Sequence, residues 1–227
     1  MRSYGQFCPI ARSLDLVGDR WVLLIVRELL IRPCRFSDLR HGLPGIASNL
    51  LVERLRALED AGIVERAKLP APAASAIYRL TARGQALKPV VLELARWGEP
   101  LLVSGQGGDH FAGRWLLMLA TAALQAIPAG DLAPLVVELR TDTDPLVIEV
   151  GQDGTDIGLT PTVGPDLVID ADPATAGGLL TGLIDLEGAR QRTSVRISGN
   201  PGAAIRFGEL LGRIEPANSS SATQDRR

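Results

Sequence analysis

Between residues 45 and 62 the chain reads GIASNLLVERLRALEDAG. Wound as a helix at about 3.6 residues per turn, this stretch brings Leu51, Leu55 and Leu58 within about 60° of one another. The opposite arc carries Asn49, Glu53, Arg56 and Asp60, with Val52 at its edge. The leucines suit a core, and the second face admits two readings. It can be an ordinary solvated face, although such faces are usually rich in Glu, Lys and Gln. It can also be a set of groups that read base edges in the major groove, for which Asn, Arg and a small apolar side chain near a helix start are suitable.

Other chemistries find little support. His41 and His110 are the only histidines and no CxxC or HExxH spacing occurs, so no metal site is expected. GxSxG, P-loop and complete GxGxxG motifs are absent, and GQGGD at 105–109 lacks the preceding strand that phosphate cradling requires, so it reads as a linker. Nothing supplies a nucleophile, a base and an orienting group together; no enzyme and no cofactor are expected. Two cysteines, Cys8 and Cys34, are too few for a disulfide framework, and without a signal peptide ahead of them the expectation is a reducing cytoplasm. The longest nearly apolar run, 115–124, is about half of a membrane span, so no membrane partner is expected.

Length and charge constrain the elements that must position the 45–62 face. The 227 residues suit one large domain or two ordinary ones, and 46% hydrophobic content with 4% aromatics predicts aliphatic cores. Residues 1–103 hold 15 Lys/Arg against 10 Asp/Glu, net +5, and residues 104–227 hold 9 against 16, net −7. The first half is suited to an anionic partner. Along it, 9–17 reads as a short helix with Ile10, Leu14 and Val17 inward. Residues 20–32 read as a buried helix stopped by Pro33. FSDLRHGL reads as a short helix with Ser37 as N-cap. After the turn LPGIA comes the helix of the opening, which makes a helix-turn-helix. IVERAKL and AIYRL, separated by PAPAAS, then read as a β-hairpin. That order is the winged-helix arrangement. The hairpin's Arg66, Lys68 and Arg79 are placed to meet phosphates while the helix enters the major groove, and Arg35, Ser37 and Ser48 complete the set expected at DNA.

The segments CPI at 8–10, GDRW at 18–21, RFSDLRHGLPGI at 35–46, LLVERLRALEDAGIVER at 50–66 and YRLTARG at 78–84 resemble the HxlR-type winged-helix transcriptional regulators. The resemblance spans about residues 7–100. It implies a homodimer on double-stranded DNA with a near-palindromic operator, the wing lying on flanking DNA. Where that family commonly opens the recognition helix with Ser-Pro, this chain has Ala47-Ser48, which leaves Ser48 as an N-cap one residue later. The next helix is expected over 81–102, capped by Thr81. Its Val90, Leu94, Trp97 and Leu101 recur at helical spacing and suit either a core or a partner helix; the resemblance implies dimerisation. Cys8 resembles the thiol some members use to sense electrophiles, and Arg12 one turn on is placed to favour its thiolate. A passive cysteine is the simpler reading, and Cys34 matches no motif.

After SGQGGD a second domain is expected over 104–214. It has a helix at 111–127, strands LVVELR, PLVIEVG, TDIGL and DLVIDAD, a helix at 173–191, a strand TSVRISG and a closing helix at 201–214. The fold class is therefore α+β, a winged helix followed by a sheet covered by helices. PDLVIDADPATAGGLLTG and VRISGNPGAAIRFGELL resemble the sterol-carrier-protein-like domain. The resemblance implies a pocket for an apolar small-molecule effector, with Leu139, Ile148, Leu180, Leu183, Ile184 and Phe207 as candidate lining. The same residues can equally pack on one another, since cores and pockets are lined alike. Residues 215–227 read as a disordered tail. Three functions follow: a regulator whose second domain senses an apolar molecule; a lipid-binding carrier or interaction protein whose winged helix contacts protein; and a thiol-based redox sensor through Cys8. The basic first half favours DNA over a protein contact.

Overall fold

The computed structural model describes residues 3–68, 76–104, 106–125, 127–128, 132–160 and 163–214. The tail, the PAPAAS segment and part of the glycine linker lie outside them. The chain divides into two compact units, Met1–Val91 and Leu92–Arg227. The division falls inside a helix, twelve residues before the expected boundary at 103/104, because the later turns of that helix bond onward: Arg96 donates to the Ala122 carbonyl.

The first unit runs α1 (Pro9–Val17), α2 (Val22–Ile31), α3 (Phe36–Gly42), α4 (Ser48–Asp60), β1 (Val64–Lys68), β2 (Ala76–Leu80), α5 (Ala82–Gln85) and the start of α6 (Lys88–Gly98). Ile25 and Val26 of α2 are fully buried, and Leu39, Leu51, Leu55, Leu58, Ile63 and Val64 join the core from the other elements. Within α1 only Ala11 and Val17 are buried. Ile10, 71% exposed, and Leu14 face outward, against expectation. Their spacing fixed a common side of the helix without fixing whether the chain's own core lies there.

Capping also departs from the residue types. Arg35, not Ser37, is the N-cap of α3, and the Asp38 carboxylate accepts from the Arg35 N–H at 3.0 Å. Ala47 precedes α4, so Ser48 is its first helical residue rather than its cap. Thr81 does cap a helix, accepting from the Gly84 N–H at 3.1 Å. The helix expected over 81–102 is nonetheless broken into α5, α6 and a 3₁₀ segment, Glu99–Ser104. Pro89 has no N–H to give the Gln85 carbonyl and its ring crowds that group, and Pro100 repeats the effect at the far end.

In the second unit, a 3₁₀ turn (Gly113–Trp115) leads into α7 (Leu116–Leu124), followed by β3 (Leu135–Arg140), β4 (Leu146–Gly151), β5 (Gly154–Gly158), β6 (Leu167–Asp170), α8 (Pro173–Leu180), α9 (Leu186–Arg190), β7 (Arg196–Gly199) and α10 (Pro201–Leu211). The sheet order is β5-β4-β3-β6-β7, with only β3 and β6 parallel. Register places Leu135, Val137 and Leu139 level with Val150, Ile148 and Leu146, and all six enter one core with α7, α8 and α10. The single helix expected over 173–191 is two, separated by a turn in which Gly182 adopts φ 70°; glycine reaches that backbone without a Cβ clash. Among the described residues no helix is long and apolar enough to cross a membrane.

Asp172 ties this unit together. Its carboxylate caps α8 by accepting from Thr175 N–H at 2.9 Å and Thr175 Oγ1 at 2.7 Å, and it takes a third bond from Ser194 Oγ, 2.6 Å away, just before β7. Burial alone would raise its pKa, but these bonds to the anion outweigh burial and lower it from 3.8 to about 2. A depressed folded-state pKa means the stabilisation is complete above 3.8 and is lost as pH falls through about 2. Denaturant unfolding should therefore show Asp172→Ala less stable by about 0.5–2 kcal/mol at neutral pH. The difference should shrink on acidification through that window; a difference independent of pH would refute the assignment.

Candidate nucleic-acid interface

The orientation of α4 follows from its leucines. Leu51, Leu55 and Leu58 are buried, which leaves Asn49, Glu53 and Arg56 exposed on the other side with Val52 half-buried between them. Gly45, at φ 88°, makes the turn between α3 and α4, a backbone shape that disfavours side chains with a Cβ. Arg35, Ser37 and Ser48 are exposed at the starts of α3 and α4. All ten residues expected at DNA belong to the first unit, and none is buried.

The hairpin pairs Val64 with Leu80, Glu65 with Arg79 and Lys68 with Ala76. Cys34 adds a bridge to Tyr78 through Cys34 N–H to Tyr78 O at 3.0 Å and the reciprocal bond at 2.7 Å. The base of the wing is thereby fixed to the turn between α2 and α3, and Cys34, buried, has a structural place that no sequence motif announced. The three wing cations differ. Lys68 is exposed and has no ion-pair partner among the described residues. Arg66 lies over the Tyr78 ring at 5.9 Å, which holds its guanidinium at the surface. Arg79 donates from Nε to Glu65 Oε1 at 2.6 Å, so its charge is already answered across the strands.

Two side chains that sequence reasoning passed over stand behind α4. Arg54 Nη1 lies 3.0 Å from Asp19 Oδ2 and 3.0 Å from Glu53 Oε1, joining the recognition-helix candidate to the turn before α2. Trp21 in that turn has φ 81°, the one positive value outside glycine among the described residues. The GDRW segment was visible as a motif. Its pairing with a residue thirty-five positions later was not.

The remaining candidates fall elsewhere. Leu139, Ile148, Leu180 and Phe207 are buried together in the core of the second unit, with Ile184 packed against it. Leu183 does not line that interior: it is 52% exposed in the turn after α8, because the helix ends at Leu180 instead of carrying it inward. Cys8 is the half-buried N-cap residue of α1. Arg12, expected beside its thiol, lies 3.8 Å from Asp15 Oδ2. That carboxyl is held below its usual range by hydrogen bonds from Tyr4 N–H and Ser3 Oγ.

Residues 16–105 match the family model described as HxlR-like helix-turn-helix. The chain is 38% identical over 94 residues to the HTH-type transcriptional regulator YvaP of Bacillus subtilis, a match covering 41% of this chain and 87% of that one. To the HTH-type transcriptional regulator YodB of the same organism it is 38% identical over 102 residues, 44% of this chain and 91% of that one. Among solved structures, the reduced form of the transcriptional regulator YodB from B. subtilis matches at 38% identity and TM-score 0.38, covering 44% of this chain and 99% of that chain. The redox regulator HypR in its oxidized form matches at 33% identity and TM-score 0.39, covering 41% of this chain and 96% of that chain.

Proposed function

Because the chain belongs to the HxlR family of helix-turn-helix regulators, we propose that it acts on duplex DNA as a homodimer, with α4 in the major groove and the wing along the backbone. It is a DNA-binding transcriptional regulator. The observation that carries the interface is the outward arc of α4: an amide, a carboxylate and a guanidinium are exposed while the leucine stripe is wholly consumed by the core. Asn49 and Arg56 reach base edges, with Val52 available to a thymine methyl. Lys68 and Arg66 meet phosphates, as do Arg35, Ser37 and Ser48 from the helix starts. Arg79 contributes only after exchanging Glu65 for a phosphate.

Dimerisation is supported by apolar surface that a single chain leaves in water. On α6, Leu94 and Trp97 are exposed, Trp97 at 73%, and Ile10 on α1 and Phe7 just before it are exposed as well. Val90 extends the α6 stripe, and Leu101 is exposed in the 3₁₀ segment that follows it. Large exposed apolar groups at helical spacing mark association surfaces, and a two-fold axis sets two recognition helices about one DNA turn apart.

The second unit is read as a sterol-carrier-like effector domain, on its sheet with helices over one face and on an interior lined by Leu139, Ile148, Leu180, Ile184 and Phe207. Those side chains pack on one another here, so an apolar effector enters by parting them. α6 carries the consequence, since Arg96 bonds its later turns to Ala122 of α7 and Glu99, just beyond its end, is buried. Burial raises the Glu99 carboxyl and nearby Arg96 partly offsets this.

The DNA reading is tested by titrating a duplex from the region upstream of the gene. About six to ten neutralised phosphates per dimer should lower affinity by ~10³ to 10⁵ between 50 and 200 mM salt; binding insensitive to salt contradicts it. Arg56→Ala should cost about 1–3 kcal/mol and relax preference at one base pair, whereas Lys68→Ala should weaken all duplexes alike. Uniform loss in both would remove α4 from the bases. Trp97→Asp should shift sedimentation from dimer to monomer and weaken DNA binding with it; a dimer undisturbed by that change would place the interface elsewhere. For the effector, native mass spectrometry of the purified chain should find a retained apolar molecule whose removal changes DNA affinity about 5- to 150-fold. An unliganded protein with the same affinity as the cell-extracted form would count against it.

A further inference from the structure

Arg54 stands on the flank of α4, between the buried leucines and the outward arc. A single guanidinium nitrogen bridges two carboxylates, Asp19 Oδ2 and Glu53 Oε1, each at 3.0 Å. The centre of the bridge is largely covered and both ends reach solvent: the Arg54 side chain is 18% exposed, that of Asp19 49% and that of Glu53 68%. Glu53 uses one oxygen for Arg54, and its second has no hydrogen-bond partner among the described residues. Asp19 belongs to the same turn as Trp21, whose left-handed backbone and indole beside Gly45 also brace the approach to α4.

An acidic side chain on a surface that meets DNA needs a reason, because it opposes the phosphates at every sequence. The reason is found where an acceptor is wanted. In the major groove guanine offers the acceptors O6 and N7 and thymine offers O4; adenine sets its N6 amino group beside the N7 acceptor, whereas cytosine offers the N4 amino group with no acceptor of its own beside it, to which a carboxylate is the fitting partner. Arg54 offsets part of the unfavourable charge and fixes the direction of the free oxygen. The residue then discriminates twice, by accepting from cytosine and by facing the acceptors of guanine or thymine with a like partial charge. We infer that Glu53 is a specificity-determining residue that reads the N4 amino group of a cytosine, and that Arg54, anchored on Asp19, is the positioning residue that aims it. This rests on the major-groove placement of α4 proposed above.

The test measures base preference and affinity separately. The intact protein and its Glu53→Ala, Arg54→Ala, Arg54→Lys and Asp19→Asn variants are titrated by fluorescence anisotropy against duplexes carrying every single base-pair change in the selected site, with melting followed by circular dichroism. The parent should prefer C·G at one position in each half-site by roughly tenfold. Glu53→Ala should lose that preference, binding the C·G duplex more weakly than the parent and the other duplexes as well as or better than it. Arg54→Ala should erode preference at the same position and add nothing when combined with Glu53→Ala, and Arg54→Lys should restore part of it. Asp19→Asn should weaken the same preference with little change in mean affinity. The inference is overturned if Glu53→Ala leaves preference unchanged at every position. It is equally overturned if folded Arg54→Lys and Asp19→Asn proteins lose affinity by one factor on all duplexes, which would make Arg54 a phosphate contact or a purely structural tie. A parent that binds no duplex at low salt removes the placement of α4 itself, a result distinct from a parent that binds with preferences indifferent to Glu53.

Discussion

The burial of Leu51, Leu55 and Leu58 is the constraint from which the rest of the interface follows. Three leucines on one side of a thirteen-residue helix leave one rotation about the helix axis at which all of them escape water. Each buried leucine contributes about 1.5–3 kcal/mol relative to exposure, so a rotation that freed even one would be strongly disfavoured. With rotation fixed, Asn49, Val52, Glu53 and Arg56 have no choice of side. The polar arc is therefore a consequence of the core, and its chemistry can be selected without disturbing the fold beneath it.

The same economy appears in the supports. The Cys34–Tyr78 bridge ties the wing to the helical part of the unit, and the Asp19–Arg54 pair ties α4 to the turn before α2. Both join segments distant in sequence, and both lie beside the exposed candidates of α4 and the wing. A positive φ at Trp21 is tolerated where neighbouring structure over-determines it. On the proposed placement of α4 in the major groove, these ties hold its outward side chains within the narrow geometry that bidentate recognition demands.

What could be read in the sequence was what periodicity and composition encode. The helix order of the first unit, the phase of α4, the hairpin and the strands of the second unit all follow from apolar spacing and turn residues. Features that depend on groups far apart in the chain were not legible. Ile10 and Leu14 share a side with the spacing of a core, yet they face outward; periodicity identifies a shared side and is silent on whether the chain's own interior lies there. Ser37 and Ser48 have the right chemistry for caps, but Asp38 reaches back to Arg35 and Ala47 takes the position before α4. Pro89 is a local signal of the opposite kind, since its missing N–H separates α5 from α6 within the 81–102 stretch. Leu183 would share the inner face of α8 only if that helix ran past Leu180, where it ends. The Asp19–Arg54–Glu53 bridge left no local signal.

The central claim is that two copies of α4 enter successive major grooves with their outward arcs against the bases. Dimethyl sulfate protection on a bound operator reads this directly, because the reagent methylates guanine N7 in the major groove and adenine N3 in the minor groove. The account predicts guanine N7 protection in two clusters about 10 base pairs apart, with the Arg56→Ala protein losing protection at one guanine in each. Protection confined to adenine N3, or a single unrepeated cluster, would contradict it.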